Sequence, residues 1–140
     1  MLTKHQIQDY NNNGFIVIEE LLSKNEIRQT RDIIDQFIEK SKEIKESNNI
    51  FDLEDDHSKN NPRLTRVKQP HLINNHFFNL IKNSQITKAL KDLLGNNILL
   101  KSSKLNTKFE KGGSAVEWHQ DWAFYPHTND DVLAVGVMLD

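Results

Sequence analysis

The run "EWHQDWAFYPH", Glu117 to His127, holds both tryptophans and two of the six histidines of a 140-residue chain. It leads into "DDVLAVGVMLD", Asp130 to Asp140, where Val132 to Leu139 is a continuous apolar run suited to a strand buried on both faces. In a strand, residues two apart point the same way, so His119 and Asp121 can converge on one ion while Gln120 faces away. One imidazole and one carboxylate, joined by a second imidazole from elsewhere, make the facial triad that leaves three positions open on Fe(II). The bare His-x-Asp spacing carries little weight, because it arises by chance in roughly every second chain of this composition. Its surroundings carry more: Trp118, Trp122, Phe124 and Tyr125 supply an apolar wall that would exclude water from a reactive centre. On these residues alone the pair is either a metal site or a histidine and an aspartate hydrogen-bonded at a strand end.

Upstream, "EKGGSA" reads as a flexible turn, and Asn97 to Phe109 alternates as a strand should. Leu99, Leu105 and Phe109 fall on one side; Ser102, Lys104, Asn106 and Lys108 fall on the other. Before that the period is helical. Ser84 to Leu94 places Ile86, Ala89, Leu90, Leu93 and Leu94 on one face and ends at Gly95, and a shorter helix is expected from Asn75 to Lys82. "LLSKNEI" signals a helix start, with Ser23 capping and Glu26 reaching back; the stripe Ile27, Ile33, Ile34, Phe37, Ile38 and Ile44 carries that helix to about Lys45. A polar helix from Thr3 to Asn13 closes at Gly14, and Phe15 to Ile18 is expected as a strand. "SNNIFDLEDDHSKNNP", Ser47 to Pro62, is acidic and turn-rich; it reads as a mobile loop, without the glycine and closing glutamate of a calcium loop.

The composition fits a soluble globular domain, with 36% hydrophobic and 27% charged residues and a net charge of −2. That balance gives no field for nucleic acid, although a local basic spot runs from Arg63 to Lys68. The absence of cysteine excludes disulfides and thiolate metal sites, so any metal must sit on His, Asp or Glu. No stretch has the apolar length of a signal peptide or a membrane span, and the cytoplasm is the expected compartment.

The run "KLNTKFEKGGSAVEWHQDWAFYPHTNDDVLAVGVMLD" resembles the phytanoyl-CoA dioxygenase family of Fe(II)/2-oxoglutarate oxygenases, which includes ectoine hydroxylase. The resemblance is specific from about Leu99 to Asp140 and collinear but weaker upstream, through "RLTRV" and the helix ending at Gly95. It implies that His119 and Asp121 are the first two iron ligands. It implies a 2-oxoglutarate-binding role for Lys108, with Arg66 and Ser102 as supporting candidates, and a substrate wall of Trp122, Phe124 and Tyr125. His127 is expected to be a loop residue, since the family takes its third ligand elsewhere. The family pattern continues past the equivalent of Asp140 with further strands, a second iron-binding histidine and an arginine for the distal carboxylate. The expectation is therefore an N-terminal portion, with weakened iron affinity and an exposed sheet edge that invites self-association.

The fold expected is α+β: one domain over 1–140, with a helical layer (1–96) on a double-stranded β-helix, a jelly-roll or cupin-like core. Only its first strands and the metal motif would be present (97–140). The expected activity is Fe(II)-, 2-oxoglutarate- and O2-dependent hydroxylation of a small metabolite or acyl-CoA-like substrate, with release of succinate and CO2, although the fragment alone is expected to be inactive. No nucleic-acid or membrane partner is expected. Two other readings use the same residues: a non-catalytic jelly-roll binding or assembly module, and a hydrolase holding another divalent metal on His119 and Asp121.

Overall fold

Two reciprocal caps start the chain's first helices. In the computed structural model, which describes residues 2–109, 113, 115–129 and 131–139, helix α1 spans Lys4–Asn13. The Thr3 hydroxyl accepts the Gln6 amide at 3.2 Å while the Gln6 side chain accepts the Thr3 amide at 2.9 Å. Gly14, at φ 79°, closes the helix in the left-handed conformation that glycine adopts without a Cβ clash. Helix α2, Lys24–Ser41, repeats the device: Ser23 Oγ accepts the Glu26 amide at 3.2 Å, and the Glu26 carboxylate accepts the Ser23 amide at 2.8 Å. The Ser23 hydroxyl, its backbone N–H and Asn83 all donate to Glu26 and hold its carboxyl below the ordinary value of 4.5.

The stripe expected on α2 is the one it buries, with Phe37 in the core and Ile33, Ile34 and Ile38 packed against it. The helix stops at Ser41, short of Lys45. Its end tightens there: Lys42, Glu43 and Ile44 donate to the carbonyls three residues back, of Glu39, Lys40 and Ser41. This turn still delivers Ile44 to the core.

A three-stranded antiparallel sheet packs under α2 in the order β1 (Phe51–Leu53), β2 (Leu64–Lys68), β3 (Lys104–Asn106). Two of these strands lie where the sequence was read as loop or left unassigned. In β1, Phe51 is buried and Leu53 half-buried around Asp52, an alternation too short to stand out from the acidic residues after it. In β2, Leu64 and Val67 are both 0% exposed, although strict alternation would send residues three apart to opposite faces. The register explains this: Asp52 pairs with Arg66 but Leu53 pairs with Leu64, so Thr65 is an extra residue, and the resulting bulge turns Leu64 inward. Phe37 meets Phe51 edge-on and stacks on Phe77, both at 6.0 Å between ring centroids, and Leu105 of β3 closes the core from the other side.

Helices α3 (Pro70–Ile73), α4 (Asn75–Ile81) and α5 (Ser84–Leu94) follow β2. The last two fall where they were expected; Asn74 and Asn83 cap them, and α5 buries Ile86 and Ala89. Polar bonds tie the layers together. The buried Thr30 hydroxyl donates to Glu26 O at 2.7 Å and lies 2.7 Å from His76 Nε2 on α4. Because that hydroxyl proton is committed to the carbonyl, His76 Nε2 is the donor to Thr30. His57 spans two elements: its Nδ1 accepts the Arg63 amide at 2.8 Å and its Nε2 donates to Ser41 O at 3.0 Å.

Three expected strands do not form as read. Phe15 to Ile18 is unpaired, with Phe15 and Val17 exposed. The stretch from Asn97 to Phe109 pairs as a strand only over Lys104–Asn106, and Leu99 is 89% exposed. Val132 to Leu139 is neither paired nor buried on both faces, and Met138 is 83% exposed. Apolar runs become strands only against a partner ladder and a packed face; beyond the Lys104–Asn106 segment on β2, no described strand lies beside these stretches. The turn expected over "EKGGSA" lies mostly outside the described residues. Among the described residues, no helix is long and apolar enough to cross a membrane.

Candidate active site

The His-Gln-Asp segment is not a strand. Gln120 is extended at φ −102° and ψ 130°, and a single 3-10 turn, Asp121–Ala123, begins at once, with Phe124 and Tyr125 donating back to Asp121 O at 2.9 and 3.1 Å. The expected convergence is nevertheless present, since His119 Nε2 lies 3.3 Å from Asp121 Oδ1. The same turn brings Phe124 edge-on to the His119 ring at 5.2 Å.

The other ring nitrogen fixes the chemistry of that pair. His119 Nδ1 lies 2.7 Å from Glu117 O, and a carbonyl only accepts, so Nδ1 carries the proton. Nε2 then faces the Asp121 carboxylate either as the second N–H of an imidazolium that donates to it or as a lone pair that shares a cation with it. The 3.3 Å separation is close to the ~3 Å between neighbouring donors of an octahedral ion with bonds of about 2.1 Å. One imidazole nitrogen and one carboxylate oxygen therefore fit a divalent ion such as Fe(II).

Among the described residues, no group of three His, Cys, Asp or Glu side chains is placed to hold a metal. The His127 ring lies tilted against Trp122, with centroids 4.2 Å apart, and its Nδ1 donates to Tyr125 O at 2.6 Å. The aromatic residues flank the pair without enclosing it: Trp122 and Phe124 are exposed, Tyr125 is half-buried and Trp118 is 103% exposed.

The cationic candidates sit on the sheet. Arg66 lies 3.5 Å from Asp52 Oδ2, donates through Nε to Asn106 Oδ1 at 3.2 Å, and faces Asn106 across the β2–β3 ladder. Lys68 Nζ takes the other Asp52 oxygen at 2.6 Å. The acidic loop is thus used in pairs: Asp52 with these two cations, and Asp56 with Arg63 Nε at 3.3 Å. Lys108 is exposed two residues past β3, and Ser102 is exposed two residues before it. The structure thus forms two groups, His119–Asp121–Phe124 and Arg66–Asn106 with Lys108 beyond, and it joins Arg66 to Asp52 and Asn106 rather than to the His–Asp pair.

Sequence reasoning missed the supports of Lys108. Thr107 donates its amide to Thr65 O at 3.0 Å and its hydroxyl to Leu64 O. On the other flank, the Arg63 guanidinium sits 4.5 Å over the Phe109 ring. No local spacing could have revealed these contacts, because the partners are more than forty residues apart in the chain.

Residues 10–140 match the family model of phytanoyl-CoA dioxygenase (PhyH), and the chain belongs to that family. It is 36% identical over 135 residues to the "Probable alpha-ketoglutarate-dependent hypophosphite dioxygenase" of Stutzerimonas stutzeri, a match covering 96% of this chain and 47% of that protein. It is 20% identical over 129 residues to an "Ectoine dioxygenase" of Streptomyces avermitilis, covering 92% of this chain and 41% of that protein. A second "Ectoine dioxygenase", from Streptomyces anulatus, is 20% identical over 124 residues. The chain spans just under half the length of its hypophosphite relative. Family membership implies Fe(II), 2-oxoglutarate and O2 as the working set.

Proposed function

We propose that the chain carries two ligands of a cytoplasmic Fe(II)/2-oxoglutarate dioxygenase of cupin-type, jelly-roll architecture. The observation that carries this is the His119 Nε2–Asp121 Oδ1 pair at 3.3 Å, with Nδ1 committed to Glu117 O. Bound there, Fe(II) with 2-oxoglutarate and O2 would supply oxidative decarboxylation to succinate and CO2 coupled to hydroxylation of a substrate.

The chain's own part is ligation, orientation and charge. The Glu117 carbonyl holds the His119 ring so that Nε2 faces the ion site, as outer hydrogen bonds do for metal-bound histidines. Phe124 limits rotation of that ring from the side. Lys108 contributes a cation to 2-oxoglutarate binding, with Arg66 and Ser102 supplying further polar contacts nearby in the chain's sheet region. Trp122, Phe124 and Tyr125 flank the substrate. The hypophosphite relative favours a small, compact substrate over an acyl-CoA thioester.

The protein, supplied with Fe(II) and 2-oxoglutarate, is expected to form succinate. His119→Ala should lower that rate at least ~100-fold, and an unchanged rate would sink the assignment.

The exposure of Val132, Val135 and Met138 favours a second reading, in which the module assembles with another sheet and turns nothing over. Concentration-dependent self-association, relieved by Val135→Lys in a protein with no succinate formation, would support this reading.

A further inference from the structure

Lys108 lies two residues past the end of β3, outside regular strand, yet both its neighbours are anchored. On one flank, Thr107 is bound twice to the bulged end of β2, through its amide to Thr65 O and its hydroxyl to Leu64 O. On the other flank, Phe109 lies under the Arg63 guanidinium at 4.5 Å. Arg63 is itself fixed at several atoms. Its Nε faces the Asp56 carboxylate at 3.3 Å as an ion pair outside hydrogen-bond geometry, its amide donates to His57 Nδ1 at 2.8 Å, and its carbonyl accepts the Glu54 amide at 2.9 Å. The Arg63 side chain is only 14% exposed, so this is a seated guanidinium rather than a solvated one.

We infer that Arg63 is a positioning residue that acts through Phe109 to set the height of Lys108 above the sheet. A flexible lysine binds an anion well only if its backbone is held, because the ordering entropy is otherwise lost at each binding event. A cation over an aromatic face, with the guanidinium tied back to Asp56, is a rigid way to hold the segment without a strand partner. The inference rests on the proposed role of Lys108 toward 2-oxoglutarate, and its test separates the two.

The probe is 2-oxoglutarate with Mn(II), which replaces the redox-active iron, titrated calorimetrically onto the protein. Backbone hydrogen exchange at the Thr107 amide is followed in parallel. Arg63→Met should weaken 2-oxoglutarate binding about tenfold and speed Thr107 exchange by a similar factor, whereas Arg63→Lys, which keeps a cation over the ring, should retain binding within about twofold. Because Arg63 acts through Lys108, Arg63→Met combined with Lys108→Ala should bind no more weakly than Lys108→Ala alone. Unchanged affinity in Arg63→Met, or additive losses in the double variant, would overturn the positioning role while leaving Lys108 as the binding group. Unchanged affinity in Lys108→Ala would overturn the role of Lys108 itself, and the inference with it. Phe109→Leu provides a second route that leaves Arg63 and its backbone bonds in place, and it should reproduce the Arg63→Met effect.

Discussion

The two ends of this chain use apolar residues in opposite ways. From α2 to β3, Phe37, Phe51, Leu64, Val67 and Phe77 are withdrawn from water and order everything around them. From Trp118 to Met138, residues just as apolar stand in solvent, and local order comes from short hydrogen bonds such as His119 to Glu117 O and His127 to Tyr125 O. Stability and the proposed chemistry are therefore separable here: the first region makes the fold, and the second presents the proposed ligands.

The sharpest way to break that contrast is to cut into the core. Leu64→Ala should cost about 2–5 kcal/mol, since the side chain is fully enclosed by α2 and the sheet, and a urea titration would read it. By contrast, Trp118→Ala should change stability by no more than about 0.5 kcal/mol, despite its larger side chain. A large loss at Trp118 would mean that the second region contributes to the fold after all.

Smaller effects belong to the polar ties within the packed region. Thr30→Val keeps the shape but leaves His76 Nε2 without its acceptor, and should cost about 1–3 kcal/mol by thermal or urea melting. Ser23→Ala removes the cap of α2, at about 1 kcal/mol. The Glu26 half of that cap gives a pH signature. Its carboxyl is held below 4.5 in the folded state, so the unfolded chain binds the proton more readily. The contribution of Glu26 is fully present above that value and is lost as the pH falls through the lower folded value. A stability difference between the native chain and Glu26→Gln should therefore shrink on acidification below about 4.5. A difference that grows on acidification would contradict the cap geometry. At the small end, His119→Ala should leave the melting temperature almost unmoved while abolishing the proposed turnover.

Much of the helical layer could be read directly. Thr3, Ser23 and Gly14 mark helix ends through bonds to residues three or four positions away, and the stripe ending in Phe37 is periodic within one element. The pair His119–Asp121 was legible for the same reason, although for a different geometry: a turn at Asp121, rather than a strand, brings the two side chains together. What could not be read is what needs a distant partner. Phe51 to Leu53 is too short to signal a strand until Val67 and Leu64 lie beside it, and the bulge at Thr65 has meaning only in that register. The runs at Phe15 and Val132 have strand composition and form no strand, because an apolar sequence supplies propensity but not a neighbour.

The sequence by itself determined the helix boundaries at their capped ends, the α+β character and the closeness of His119 to Asp121, all of them consequences of bonds and periodicities spanning a few residues. Tertiary structure alone decided which apolar runs become sheet, where the bulge falls, and that Arg63 lies over Phe109 beside Lys108. Those features depend on contacts across tens of residues, where the free energy comes from burial and packing once the layers have met.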